Sequence, residues 1–132
     1  MTDPRFLQEN CCQNRKKPDS NMIYCPVEAT LNLIGGKYKA LILWNLVGRT
    51  LRFSQLRKEV PRATPKMLTQ QLRELEADGL IQREVFAVVP PRVEYSLTAF
   101  GKSIQPVLRA MYAWGSDYLQ ERGFEVNCTM AL

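Results

Sequence analysis

The 132-residue sequence predicts a mainly α-helical fold with a small β-hairpin, that is, an α+β chain of one domain. Apolar residues recur at helical spacing before residue 80 and after residue 98. Residues 80–88 and 92–97 alternate between apolar and polar enough to be strands. The prolines at 90 and 91 lie between these strands and stiffen the hairpin tip.

Proline and glycine positions set the ends of the first two predicted helices. Pro26 suits the first position of a helix, which places Cys25 at the N-cap. The glycines at 35–36 end that helix. The strongly apolar residues 37–46 predict a second helix, and Gly48 stops it.

A short strand and two further helices are expected next. Residues 51–53 should be extended, and residues 54–59 should form a brief helix. Thr64 can cap the following helix, with Pro65 at its first position. Gly79 is placed to end that helix in the left-handed conformation.

The C-terminal part is expected to be helical again, beginning at a Thr98 cap and split or bent at Pro106. We predict one domain over 24–122. A flexible tail at 1–23 precedes it and a second tail at 123–132 follows it.

The composition argues against an enzyme and against a membrane protein. The chain has no histidine, so it has no Ser-His or Cys-His catalytic pair and no histidine metal site. We therefore predict no catalytic residue, metal or cofactor. There is no apolar run of about 18 residues, and the N-terminus lacks the layout of a signal peptide. These features predict a cytoplasmic protein with no membrane partner.

Positive charge is concentrated in one segment. The net charge of the chain is +5, yet residues 49–73 carry seven basic residues against one glutamate, a net +6. Such a block favours contacts with nucleic-acid phosphates. The alternative is a charged face that only contacts water.

The helix expected after Thr64 has two opposed stripes with the same spacing. The apolar stripe consists of Leu68, Leu72 and Leu75. The polar stripe consists of Lys66, Gln70 and Arg73, flanked by Thr69. Arginine and lysine can donate to guanine, and glutamine can pair with adenine, in the DNA major groove. Followed by a hairpin in a basic chain, this helix predicts a winged helix-turn-helix that binds double-stranded DNA.

The candidate DNA contacts come from this helix, the helix before it, the turn between them and the hairpin. They are Ser54, Gln55, Arg62, Thr64, Pro65, Lys66, Thr69, Gln70, Arg73 and Arg92. The lysines at 37 and 39 can also reach the DNA backbone or be solvated. The acidic residues at 74, 76 and 78 oppose the helix dipole, which makes sense if that end stays away from phosphates. A winged-helix module that binds protein is an alternative, but it should not need the polar stripe.

Several segments together closely resemble the HxlR family of bacterial transcriptional regulators. They are CPVE at 25–28, IGGKY at 34–38, RFSQL at 52–56, MLTQQLRELE at 67–76 and PRVEYSLT at 91–98, with Gly101. The resemblance covers about residues 24–120. It implies a homodimeric repressor or activator whose N- and C-terminal helices form the dimer interface. Two recognition helices would then bind the half-sites of an inverted-repeat operator.

Cysteines occur at 11, 12, 25 and 128, a spacing that does not match a zinc site. Cys25 differs from the others, because an N-cap thiol has nearby amide groups that lower its pKa. The resemblance implies that Cys25 senses oxidants, quinones or other electrophiles, as in several family members. The alternatives are an inert packed thiol and a non-redox regulator controlled by a small ligand. Cys11, Cys12 and Cys128 either resolve an oxidised Cys25 or are incidental.

Overall fold

The computed structural model describes residues 25–126 of the chain. The predicted tail at 1–23, most of the predicted C-terminal tail and the cysteines at 11, 12 and 128 lie outside the described residues. The chain divides into two compact units, Met1–Lys37 and Tyr38–Leu132. No helix within residues 25–126 is long and apolar enough to cross a membrane.

The described part of the first unit contains one helix, α1, over Pro26–Ile34. Cys25 is its N-cap and Pro26 its first residue, as predicted. The helix ends at Gly35, whose amide donates to the Leu31 carbonyl at 2.6 Å. A side chain at position 35 would collide with that same carbonyl, so the close approach requires glycine.

The second unit alternates short helices with three strands. In chain order its elements are α2 Lys39–Asn45, β1 Leu51–Arg52, α3 Phe53–Glu59, α4 Pro65–Ala77, β2 Ile81–Phe86, β3 Arg92–Leu97, α5 Ala99–Lys102 and α6 Gln105–Glu121. This order confirms the predicted winged helix-turn-helix with additional terminal helices.

Several element boundaries differ from the predicted ones by one or two residues. Helix α2 begins two residues late because Tyr38 is its N-cap, and the Tyr38 amide donates to the Gln71 side chain at 3.4 Å. Phe53 belongs to α3 because the Gln55 side chain accepts the Arg52 amide at 2.8 Å and starts the helix there. The first hairpin strand ends at Phe86, two residues before its predicted end.

The strands form one antiparallel sheet in the order β1-β3-β2. In the hairpin, Ile81 is opposite Leu97 and Arg83 is opposite Tyr95. The short β1 pairs with the other edge of β3, where Leu51 is also opposite Tyr95. The central strand β3 is therefore held on both sides.

The core of the second unit is aliphatic and lies where α2, α3, α4 and the sheet meet. Its fully buried large side chains are Ile42, Leu43, Leu46, Leu56, Leu68, Leu72, Leu75, Leu80 and Ile81. All three leucines of the predicted apolar stripe are among them. Helix α4 packs against α2 and against β2. Its polar stripe therefore faces away from the core.

The C-terminal helical region splits, as predicted. The Thr98 hydroxyl caps α5 by accepting the Gly101 amide at 2.9 Å. Pro106 lies in the first turn of α6, where its missing amide proton costs no hydrogen bond. Trp44 of α2 stacks on Tyr112 of α6 with ring centroids 5.3 Å apart, which attaches α6 to α2.

Candidate nucleic-acid interface

Helix α4 is fixed at its N-terminus by the predicted cap. The Thr64 hydroxyl oxygen accepts the Met67 amide at 3.1 Å, and Pro65 occupies the first turn. The cap oxygen is used, but the hydroxyl proton can still be donated to a phosphate. The start of α4 therefore presents a rigid, partly positive end of the helix.

The polar stripe of α4 is exposed along its length. Lys66, Gln70 and Arg73 are exposed, and Thr69 beside them is half-buried. The Thr69 hydroxyl donates to the Pro65 carbonyl at 2.8 Å, which leaves its methyl group for apolar contact. In the part of the chain that the structure describes, neither Lys66 nor Arg73 forms an ion pair. Both cations are thus available to an anionic partner.

Gln70 is oriented by a neighbour on the same helix. Its amide nitrogen donates to the Glu74 carboxylate at 3.1 Å. A second amide proton and the carbonyl oxygen are then left for a base edge, which is the pair of groups that adenine recognition needs.

The candidates outside α4 have different surroundings. Ser54, Gln55 and Arg62 are all exposed. The Gln55 oxygen is already used as the cap of α3, so only its amide protons can contact a phosphate. The Arg62 carbonyl accepts the Tyr38 hydroxyl at 3.1 Å, which fixes the turn before α4 and leaves the guanidinium in solvent.

The wing arginine is held in place on the hairpin. Arg92 lies over the Phe86 ring, 4.5 Å from its centroid, and its Nε is 3.3 Å from the Glu94 carboxylate. Phe86 and Arg92 are cross-strand partners at the end of the hairpin. The guanidinium is therefore held near the tip of the hairpin.

Lys39 was expected to reach the DNA backbone or to be solvated, and both expectations were wrong. It is buried, and its ammonium nitrogen lies 2.9 Å from the Glu74 carboxylate. The hydrogen bond from Lys39, followed by the one from Gln70 and the Lys39 charge, lowers the pKa of Glu74. A second acid of the cluster, Glu76, lies 3.5 Å from Arg83. These two acids are therefore partners of basic groups on α2 and β2, which the sequence pattern did not indicate.

Cys25 differs from its expected environment in one respect. It is the N-cap of α1 and is 6% exposed, but its thiol makes no capping hydrogen bond. Sulfur is a weak acceptor, and Pro26 removes one of the amides at this end of the helix. The amide contact that was expected to stabilise a thiolate is therefore not made at this cap.

Comparisons with known proteins agree with this geometry. A model of the HxlR-like helix-turn-helix family matches residues 33–123. YdeP of Bacillus subtilis, an HTH-type transcriptional regulator, is 54% identical over 94 residues, which are 71% of this chain and 73% of YdeP. The crystal structure of ytcD, an HTH-type transcriptional regulator, has a TM-score of 0.69 and 50% identity, covering 72% of this chain and 97% of ytcD.

A third similar protein is the redox regulator HypR in its oxidized form. Its structure has a TM-score of 0.68 and 49% sequence identity, and the match covers 70% of this chain and 96% of HypR. HypR has also been solved in its reduced form. The family-model match over residues 33–123 includes the whole of α4 and the hairpin. The chain belongs to the HxlR family of helix-turn-helix transcriptional regulators.

Proposed function

We propose that this regulator binds an inverted-repeat operator as a homodimer and reads its sequence with α4. The observation that carries the proposal is the exposed stripe of Lys66, Gln70 and Arg73, opposite leucines that are fully buried. Any amphipathic surface helix has a polar face, but this one carries long hydrogen-bond donors beside a hairpin and within the most basic segment of the chain. We infer that the protein acts in the cytoplasm, that its partner is double-stranded DNA and that it catalyses no reaction.

In the proposed complex, α4 enters the major groove. Arg73 and Lys66 donate to guanine edges or phosphates, and Gln70 pairs with adenine. Phosphates around the start of the helix are bound by Ser54, Gln55, Arg62 and Thr64. Pro65, in the first turn, lies against the DNA backbone at the N-terminal end of α4. Arg92 at the wing tip contacts a phosphate or the minor groove.

The charge around α4 supports this arrangement. A carboxylate at position 74, one turn from Gln70, would repel a phosphate if it were unpaired. Because the Lys39 ammonium is 2.9 Å from it, the Glu74 charge is balanced locally. The free positive charges of Lys66 and Arg73 then dominate the exposed face of the helix.

Two apolar stripes support the homodimer. On α6, the side chains of Val107, Met111, Trp114 and Tyr118 recur at helical spacing, and Trp114 is 71% exposed. On α1, Val27 and Leu31 are more than half exposed, one turn apart. Aromatic and aliphatic side chains exposed in a row are typical of interfaces. The family resemblance implies a dimer contact through these same terminal helices, which supports the proposal.

We further propose that Cys25 makes the regulator responsive to oxidants or electrophiles. The support is the similarity to HypR, which is named a redox regulator, together with the position of Cys25 at the start of α1. Modification of a buried thiol adds volume where there is little room, so it would displace the end of the helix.

The experiment that tests the DNA proposal begins with selection of an operator from a random duplex pool. Arg73→Ala and Gln70→Ala should each weaken specific binding by about 1–3 kcal/mol in a gel shift. Lys102→Ala, which removes an exposed lysine on α5, is the matched control and should bind like the wild type. If both α4 variants bind the operator with unchanged affinity, α4 is not the helix that recognises the bases.

A further inference from the structure

A cavity of about 400 Å³ lies between α4 and the hairpin, entirely within the second unit. Arg73 and Glu76 of α4 line one side of it, and Arg83 of β2 and Tyr95 of β3 line the other. The aliphatic side chains of Leu72 and Ala77 complete the wall. Cavities of this size accommodate small organic ligands.

The cavity has an unbalanced positive charge. It contains two guanidinium groups and one carboxylate, and that carboxylate lies 3.5 Å from Arg83. Arg73 forms no ion pair within the described residues 25–126. The ionisable side chains of the lining therefore carry a net charge of +1.

Tyr95 adds a neutral donor and an aromatic surface. It faces Arg83 as its cross-strand partner, so the two side chains lie on the same side of the hairpin. Burial raises the pKa of Tyr95 above its ordinary value of 10.0, although Arg83 acts in the opposite direction. The hydroxyl is therefore protonated at neutral pH and can donate a hydrogen bond.

We propose that this cavity binds a small organic monoanion, a carboxylate with a compact apolar body. Its carboxylate would accept hydrogen bonds from Arg73, Arg83 and the Tyr95 hydroxyl, because guanidinium groups bind carboxylates in a forked, charge-assisted geometry. Its apolar body would lie against Leu72, Ala77 and the Tyr95 ring. A monoanion leaves the lining electrically neutral.

Binding in this cavity has a consequence for DNA. Arg73 and Thr69 line the cavity and also belong to the proposed DNA-binding face of α4. An occupied site would neutralise Arg73 and keep it from the major groove, so the anion would compete with the operator. This competition rests on the proposed function, whereas binding of the anion does not.

The first experiment titrates the full chain with benzoate in the absence of DNA. Binding is measured by calorimetry and by changes in the amide NMR shifts. We expect saturable binding that shifts the amides of α4 and β3. Arg83→Gln should weaken it about tenfold, since one charge-assisted contact is lost. Arg57→Gln, on the exposed face of α3, is the control and should leave it unchanged. The NMR spectrum shows whether each variant is folded.

Two results would overturn the anion site: no saturable benzoate binding, or equal affinity for benzoate and inorganic phosphate. The second would show that the apolar wall contributes nothing and that a DNA phosphate is the natural occupant. A gel shift then tests competition, with chloride at equal ionic strength as the salt control. Benzoate should release the operator from the wild type and much less from Arg83→Gln. Benzoate binding without any operator binding would reject the proposed function alone, and the reverse would reject the anion site alone.

Discussion

The Lys39 ammonium lies 2.9 Å from the Glu74 carboxylate and joins α2 to the C-terminal half of α4. The lysine side chain is 9% exposed, whereas the glutamate is 41% exposed. Glu74 also accepts the Gln70 amide at 3.1 Å. The Glu74 carboxylate thus balances the buried charge of Lys39 and orients Gln70 on the proposed DNA-binding face of α4.

This pair predicts unequal effects of two similar substitutions. Glu74→Gln should lower the urea midpoint clearly, because it leaves the buried Lys39 charge without its partner. Glu76→Gln is the control and should change the midpoint little, because both members of the Glu76–Arg83 pair are exposed by about two fifths or more. Adding Lys39→Met to Glu74→Gln should recover stability. Equal midpoints for Glu74→Gln and Glu76→Gln would contradict the pairing.

The same pair predicts a dependence of stability on pH. Since the pKa of folded Glu74 lies below its ordinary value of 4.5, the unfolded chain takes up the proton first as the solution is acidified. The contribution of Glu74 is complete above the ordinary pKa and is lost as the pH falls through the lower folded pKa. In urea titrations, the gap between wild type and Glu74→Gln should therefore be widest at neutral pH and narrow in acid. A gap that persists in acid would refute this assignment.

Gly101 should tolerate no side chain. A Cβ there would collide with the Leu80 carbonyl oxygen and lie 3.3 Å from Leu97 Cδ2. Because the first obstacle is backbone, Gly101→Ala should destabilise by about 1–3 kcal/mol or more. Gly115→Ala is the contrasting control, since nothing lies within 4 Å of its added Cβ, and it should stabilise α6 by about 0.5–1 kcal/mol. Thermal and urea unfolding measure both, and equal stability of the two variants would rule out the close approach.

The exposed stripe on α6 predicts the oligomeric state. The wild type should sediment at about twice the 15.2 kDa chain mass. Trp114→Glu places a charge in the stripe and should give a monomer, whereas Gln120→Glu adds the same charge on the other side of the helix and should not. A wild-type monomer at micromolar concentration would remove the basis for the homodimer.

Cys25 predicts a response to thiol-specific chemistry. Diamide or a quinone should release the wild type from its operator, and Cys25→Ser should stay bound, because serine cannot form a disulfide or a thioether adduct. The matched control is the untreated variant, which should bind the operator like the untreated wild type. Release of both proteins by the reagent would show that Cys25 is not the sensor.

The sequence by itself determined the order of elements and the ends of most helices. The signals for these ends act within a few residues of their own position. Thr64 and Thr98 cap helices, the prolines at 26 and 65 fix φ in a first turn, and Gly79 ends α4 with a φ of +78°. The spacing of the α4 leucines equally required no knowledge of their partners, because period 3.6 alone separates the buried face from the exposed face. These local signals predicted helix α4 and the polar residues on its exposed face.

The tertiary structure decided what lies across from those residues. Lys39 and Glu74 are 35 positions apart in the chain, and the partner of a charge at that separation is not encoded in periodicity. The same holds for Arg83 and Tyr95, which the hairpin register brings to α4 to form a cavity. Cys25 was placed correctly at a cap, but only packing decided that its thiol is buried and makes no capping hydrogen bond. Contacts between distant segments depend on how the helices and the sheet pack, and that arrangement exists only once the chain has folded.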